Sequence, residues 1–132
     1  MDKPVIIQFD GDENYHTVVD LICFNMDLEV SRHANSIKSA RRIFADIEDG
    51  KLKPTIAIVA SFLERDHRDG SIVAKKLREI APDIKIIGYT VIEDEDWYDE
   101  LAVKSNRNPE KTVIDVLARL TRHSFKSSNV PV

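Results

Sequence analysis

The chain is short of cysteine, glycine, long apolar runs and basic charge, and each shortage removes a class of function. A single cysteine, Cys23, leaves no internal disulfide and no cysteine metal cluster. Its neighbours Leu21, Ile22 and Phe24 are apolar, so it reads as a buried structural thiol. The four glycines, Gly11, Gly50, Gly70 and Gly88, are scattered and form neither a phosphate loop nor a dinucleotide fingerprint. Nor do His16, His33, His67 and His123 show metal-ligand spacing. Ala60-Ser61-Phe62 lacks the flanking glycines of a hydrolase nucleophile elbow. No apolar run approaches the roughly 18 residues that a membrane span needs. The opening stretch, MDKPVIIQFDGDE, has no apolar core of the kind a secretory leader carries. Nineteen Lys and Arg stand against 23 Asp and Glu, for a net charge of −4. That balance argues against a nucleic-acid partner, which would need a basic face. The expectation is a soluble, cytoplasmic protein that makes no membrane contact and has no cofactor of its own.

What is present is alternation. VIIQF (5–9) reads as a strand, followed by Asp10, Gly11, Asp12 and Glu13. A helix opens at Glu13 or Asn14, with Val18, Val19, Leu21, Ile22 and Phe24 as its apolar face. LEVSR (28–32) alternates apolar with polar residues, as an edge strand does. Ser36 is placed to cap a second helix, whose stripe is Ile37, Ala40, Ile43, Phe44 and Ile47 and which Gly50 ends. TIAIVA (55–60) and IKIIGYT (84–90) are short β-branched runs expected to be buried on both faces. The helix between them spans Ser71–Ile80, with Ile72, Val73, Leu77 and Ile80 inward. VIEDEDWYDE (91–100) predicts a short helix or helical turn. LAVK (101–104) predicts a fifth strand, and Asn108-Pro109 opens a last helix with Val113, Ile114, Val116, Leu117 and Leu120 on its apolar face.

Five β/α units in one domain, residues 1–123, predict an α/β, doubly wound, flavodoxin-like parallel sheet in the order 2-1-3-4-5, with helices on both faces. Residues 124–132 lack periodicity and are expected to form a disordered tail. In such sheets function gathers at the carboxyl ends of the strands. Here those ends carry Asp10, Asp12, Ala60, Ser61, Thr90 and Lys104.

This order of residues resembles the receiver domain of two-component response regulators, over about Lys3 to Arg122. Asp10 and Asp12 resemble the acidic pair after the first strand, split here by Gly11. Asp69-Gly70 matches the Asp-Gly that opens the third helix. GYT places Thr90 on the switch hydroxyl, and AVKS places Lys104 on the lysine, with Ser105 where the family has proline. The phosphoacceptor position falls on Ala60, with Ser61 beside it, and neither is a carboxylate. Phosphoryl transfer to a receiver needs a carboxylate nucleophile and a divalent cation held by carboxylates. The resemblance therefore implies a degenerate receiver, not phosphorylated at the usual position, that signals by protein contact and is not an enzyme.

Asp10 and Asp12 are weak candidates for Mg²⁺. They could equally cap the first helix, and Lys104 could pair with either. Glu64, Asp66 and Asp69 are candidates to replace the missing carboxylate. Asp94, Glu95, Asp96, Trp97 and Tyr98 form a candidate interaction face of aromatic anchors ringed by acid. The resemblance implies a partner or homodimer contact on the face of the fourth helix, fifth strand and fifth helix. Two alternatives stay open. One is phosphorylation at another carboxylate, such as Asp10 or Glu64. The other is a flavodoxin-like small-molecule binder using the acidic rim.

Overall fold

Residues 3–64, 69–91, 95–104 and 109–122 are described by the computed structural model. Its elements are β1 (Ile6–Phe9), α1 (Glu13–Asn25), β2 (Val30–Ala34), α2 (Ile37–Glu48) and β3 (Ile56–Val59). They continue with α3 (Gly70–Ile80), β4 (Lys85–Thr90), β5 (Glu100–Val103) and α4 (Pro109–Thr121). The strands form one sheet of five in the order β2-β1-β3-β4-β5, every neighbouring pair parallel. This is the topology the alternation predicts. β1 and β3 are buried along their whole length, because helices cover both faces of the sheet.

The period of two in each strand sorts its side chains between two cores. Ile7, Phe9, Ala57, Val59 and Ile86 face the α2/α3 side, where Ile43, Val73 and Leu77 meet them. Ile6, Ile56, Ile58, Ile87 and Tyr89 face the α1/α4 side, against Val19, Ile22, Val113 and Leu117. No helix among the described residues is long and apolar enough to cross a membrane.

Helix ends follow local chemistry. Asp12 caps α1, its carboxylate accepting from the Asn14 N–H. Ser36 and Ser39 form a reciprocal capping box on α2. Gly50 takes the left-handed turn after that helix, with φ of 76°.

Four expectations are corrected. The second strand is Val30–Ala34 rather than 28–32. α1 stops in a Schellman turn, with Asp27 at φ 59° and the Leu28 N–H bonded to the Cys23 carbonyl at 2.7 Å. Leu28 therefore packs into the α1/α4 core as part of the helix stop. Secondly, Leu21 and Phe24 lie on the outer face of α1, 52% and 70% exposed, and Ile72 on α3 is 67% exposed. Thirdly, residues 95–99 form no helix; the chain bends at Trp97 and Asp99, and the Asp99 N–H and carboxylate bond the Ile86 carbonyl and N–H, which ties this stretch to β4. Fourthly, β5 starts one residue early, at Glu100, and Lys104 follows it, its N–H on the Thr90 carbonyl. The expected tail, and the Asn108 cap of the last helix, lie outside the described residues.

Candidate functional site

The carboxyl ends of β1, β3, β4 and β5 open into a cleft of about 670 Å³. Asp10, Asp12, Ala60, Ser61, Thr90 and Lys104 all line it, so the fold brings these predicted residues together. Glu13, Glu64, Phe62 and Val91 complete its walls and rim.

Asp10 stands at the floor, only 2% exposed. One carboxylate oxygen accepts from the Asp12 N–H at 3.0 Å, and the other meets the Lys104 ammonium at 2.8 Å. That ammonium also sits 4.0 Å from the Tyr15 ring centroid and 5.3 Å from that of Tyr89. Burial raises the Asp10 pKa above its ordinary value, while the Lys104 charge and hydrogen bond pull against that rise. Burial, with help from Asp12 and Asp10, also raises Tyr15.

Ala60 follows β3 directly, beside Asp10, because Phe9 and Val59 are register partners. Its side chain is a methyl group and offers no nucleophile. Ser61, next along, begins a hydrogen-bond chain. The Thr90 hydroxyl lies 2.6 Å from Ser61 Oγ, and the Ser61 hydroxyl donates to Glu95 Oε1 at 2.9 Å. Since Ser61 has one proton, Thr90 must be the donor to Ser61. The indole N–H of Trp97 donates to Glu95 Oε2. One carboxylate from the stretch before β5 thus gathers Ser61, Thr90 and Trp97.

The remaining carboxylates do structural work. Asp69 accepts from the Leu63 N–H at 2.6 Å and so folds the β3–α3 loop. Glu64 accepts from the Ile37 N–H at the start of α2, where the helix dipole favours a negative charge. Neither takes the place at Ala60. Asp66 lies outside the described residues. Two glycines admit this tight arrangement. A Cβ on Gly11 would stand 2.3 Å from the Leu63 carbonyl oxygen, and one on Gly70 would stand 2.4 Å from that of Ala60.

The donor set does not fit a resident Mg²⁺. Asp10 is committed to Lys104, Asp12 caps α1, and Ala60 brings no side-chain oxygen. Among the described residues, no group of three or more acidic, His or Cys side chains could hold a metal ion.

The candidate interaction face is only partly a surface. Trp97 is buried, 9% exposed, in the core with Val73, Ala74 and Leu77. Tyr98 is half-buried, edge-on to Trp97 at 5.1 Å and packed over Gly88. Glu95 turns toward Ser61, whereas Asp96 is exposed. Trp97 is therefore not a free anchor. Its ring is needed to fill the α3 side of the core, and its N–H needs the acceptor that Glu95 supplies. Asp94 lies outside the described residues. The sequence signalled neither the Glu95–Ser61 bond nor the placing of Tyr15 over Lys104. The Glu-x-Trp spacing offered the one available cue, a carboxylate within reach of an indole that would need an acceptor when buried.

No family model and no curated protein matches the chain by sequence. Solved structures do match its fold. A CheY-like response regulator receiver domain protein from Methanospirillum hungatei JF-1 is 19% identical, with a TM-score of 0.68, over 92% of this chain and 96% of that one. A response regulator from Thermotoga maritima is 14% identical, with a TM-score of 0.70, over 92% and 99%. A response regulator protein from Burkholderia pseudomallei, solved with a phosphorylated aspartic acid, calcium ion and citrate, is 18% identical, with a TM-score of 0.61, over 99% and 76%. The fold is therefore the CheY-like receiver fold.

Proposed function

We propose that this chain is a degenerate receiver that works in signal transduction by protein contact, without phosphorylation at the usual position. The observation that carries this reading is Ala60. It stands at the end of β3, beside Asp10, and the resemblance to receivers assigns the acceptor to this residue. A methyl group cannot be phosphorylated, and the nearby Ser61 is no substitute. Its proton is committed to Glu95 and its oxygen to the Thr90 hydroxyl, inside a core that leaves it 2% exposed. The Burkholderia pseudomallei protein, by contrast, carries its phosphoryl group on an aspartic acid.

The pocket is held together without a ligand. Lys104 has its counter-ion in Asp10, and Thr90 is drawn inward by Ser61 and Glu95. A site fixed in this way favours one conformation and needs no chemistry to reach it. Output then rests on surfaces that stay constant. The exposed Asp96, edge strand β5 and α4 form the face through which a protein partner or a second copy would dock.

The test is incubation with acetyl phosphate and Mg²⁺, followed by intact-mass spectrometry. The chain should keep its mass. A stable adduct of one phosphoryl group would overturn the reading and send the search to Asp10 or Glu64. Charge reversal at Asp96 should weaken any partner found by this face.

The cleft volume favours a second reading, a small-molecule binder, since about 300–1,000 Å³ is usual for ligand sites. Native mass spectrometry of the purified chain separates the two. A co-purifying small molecule would favour the binder.

A further inference from the structure

A second concave surface lies on the α2/α3 layer and shares no residue with the cleft. It is a trough of about 420 Å³ between the two helices. Its apolar lining includes Ile37, Ala40, Phe44 and Ile72. Phe44 stacks at 5.7 Å on Phe9, a buried residue of β1, so its ring is backed by the sheet as a floor. Ile72 rises at the rim, 67% exposed. An aliphatic side chain left that exposed gains little from packing within this chain.

The two helices that frame the trough carry charge opposite in sign to that of the molecule. The chain is acidic, with a net charge of −4. The sequences of α2 and α3 nevertheless hold six cations, Lys38, Arg41, Arg42, Lys75, Lys76 and Arg78, against three carboxylates, Asp46, Glu48 and Glu79. Lys76 and Glu48 bridge the two helices at 3.4 Å, which cancels both charges and closes one end. Arg41, which lines the trough, has no ion pair among the described residues; nor have the exposed Lys38, one turn before it on α2, and Lys75, one turn after Ile72 on α3. An apolar floor edged by Arg41, a cation with no ion pair among the described residues, is the complement of one kind of ligand. At about 1.5 Å per residue, the twelve residues of α2 run for about 18 Å, the length of three helical turns.

We propose that this trough docks an acidic amphipathic helix of a partner protein. Its apolar residues at i, i+4 and i+7 would lie on Phe44 and against Ile72. Its carboxylates would face Arg41, Lys38 and Lys75. The inference goes beyond the cleft and does not depend on whether the chain can be phosphorylated.

The probe is a fluorescein-labelled, helix-forming peptide of about 15 residues, with leucine at i, i+4 and i+7 and glutamate on its flanks. The control is the same peptide with lysine for every glutamate. The glutamate peptide should bind saturably, raise its anisotropy, and shift amide resonances in 37–48 and 70–80. Arg41→Glu and Ile72→Asp should each weaken it about tenfold. Added salt should weaken it further. Both side chains are exposed, and circular dichroism of the variants checks that they fold. No binding, equal binding of the lysine peptide, or indifference to both variants would overturn the proposal. So would a dimer in sedimentation velocity that Ile72→Asp dissolves, since the trough would then belong to a second copy.

Discussion

Replacing Glu95 by alanine should destabilise the fold far more than replacing its neighbour Asp96. The Glu95 carboxylate accepts from two donors, the Ser61 hydroxyl and the Trp97 indole N–H. Ser61 is 2% exposed and Trp97 9% exposed, so water can replace the lost acceptor only in part. A buried donor left without a partner costs about 1–3 kcal/mol. Two donors, one of them near the rim and open to partial solvation, give about 2–4 kcal/mol. In urea, with a slope of about 2 kcal/mol per molar, the midpoint should fall by about 1–2 M. Asp96 is exposed and makes no such bonds among the described residues, so Asp96→Ala should stay within about 0.5 kcal/mol. Trp97 is the single tryptophan, and its emission follows both unfolding and the local loss of its hydrogen bond. A double-mutant cycle with Ser61→Ala isolates the Ser61–Glu95 term, which should exceed about 0.5 kcal/mol. A Glu95→Ala midpoint equal to that of Asp96→Ala, or zero coupling in the cycle, would refute the network.

Lys104→Ala strands Asp10 as a buried charge and should cost about 3–5 kcal/mol at neutral pH by urea melts, and Asp10→Asn added to it should recover part of that loss. The raised Asp10 pKa means that the folded state holds this proton more tightly than the unfolded chain, so the group's contribution is fully present at low pH. It then declines as pH rises from about 3.8 through the folded value, and the stability of the unaltered chain relative to Asp10→Asn should fall along that window; a rise would contradict the assignment. Burial pushes the Cys23 thiol up to about 12, so Ellman's reagent at mildly alkaline pH should label it at the rate of global unfolding and no faster. Leu77→Ala empties a fully buried position between α3 and the sheet and should cost about 2–5 kcal/mol, read by thermal melting.

The sheet was legible because its strands are short, β-branched and set off by Pro, Gly and charged turns. Val5–Phe9, Thr55–Ala60 and Ile84–Thr90 could hardly pack except as strands buried on both faces. Their ends then carried Asp10, Ala60, Ser61 and Thr90 to one rim, as topology requires. Other features depend on tertiary bonds. Leu28 reads as a strand residue by alternation, yet the Schellman turn at Asp27 draws it into the helix stop. Leu21, Phe24 and Ile72 fit a helical stripe by spacing, but each lies at the edge of that stripe, where the neighbouring helix decides between inside and outside. The stretch before β5 reads as a short acidic helix or helical turn. It is not helical because Asp99 bonds the backbone of Ile86 and Glu95 bonds Ser61, and neither partner is near in sequence. Long-range pairings of this kind leave no periodic trace.

The central claim is that Ala60 leaves the pocket without an acceptor, and that Lys104 and Thr90 are already held by the chain itself. An amide NMR titration with Mg²⁺ and then beryllofluoride, which mimics an acyl phosphate on aspartate, tests it most directly. The account predicts no saturable beryllofluoride shifts at Thr90, Trp97 or Lys104. Saturable shifts reaching all of these residues would mean that another carboxylate has taken the acceptor's place, and the account would be wrong.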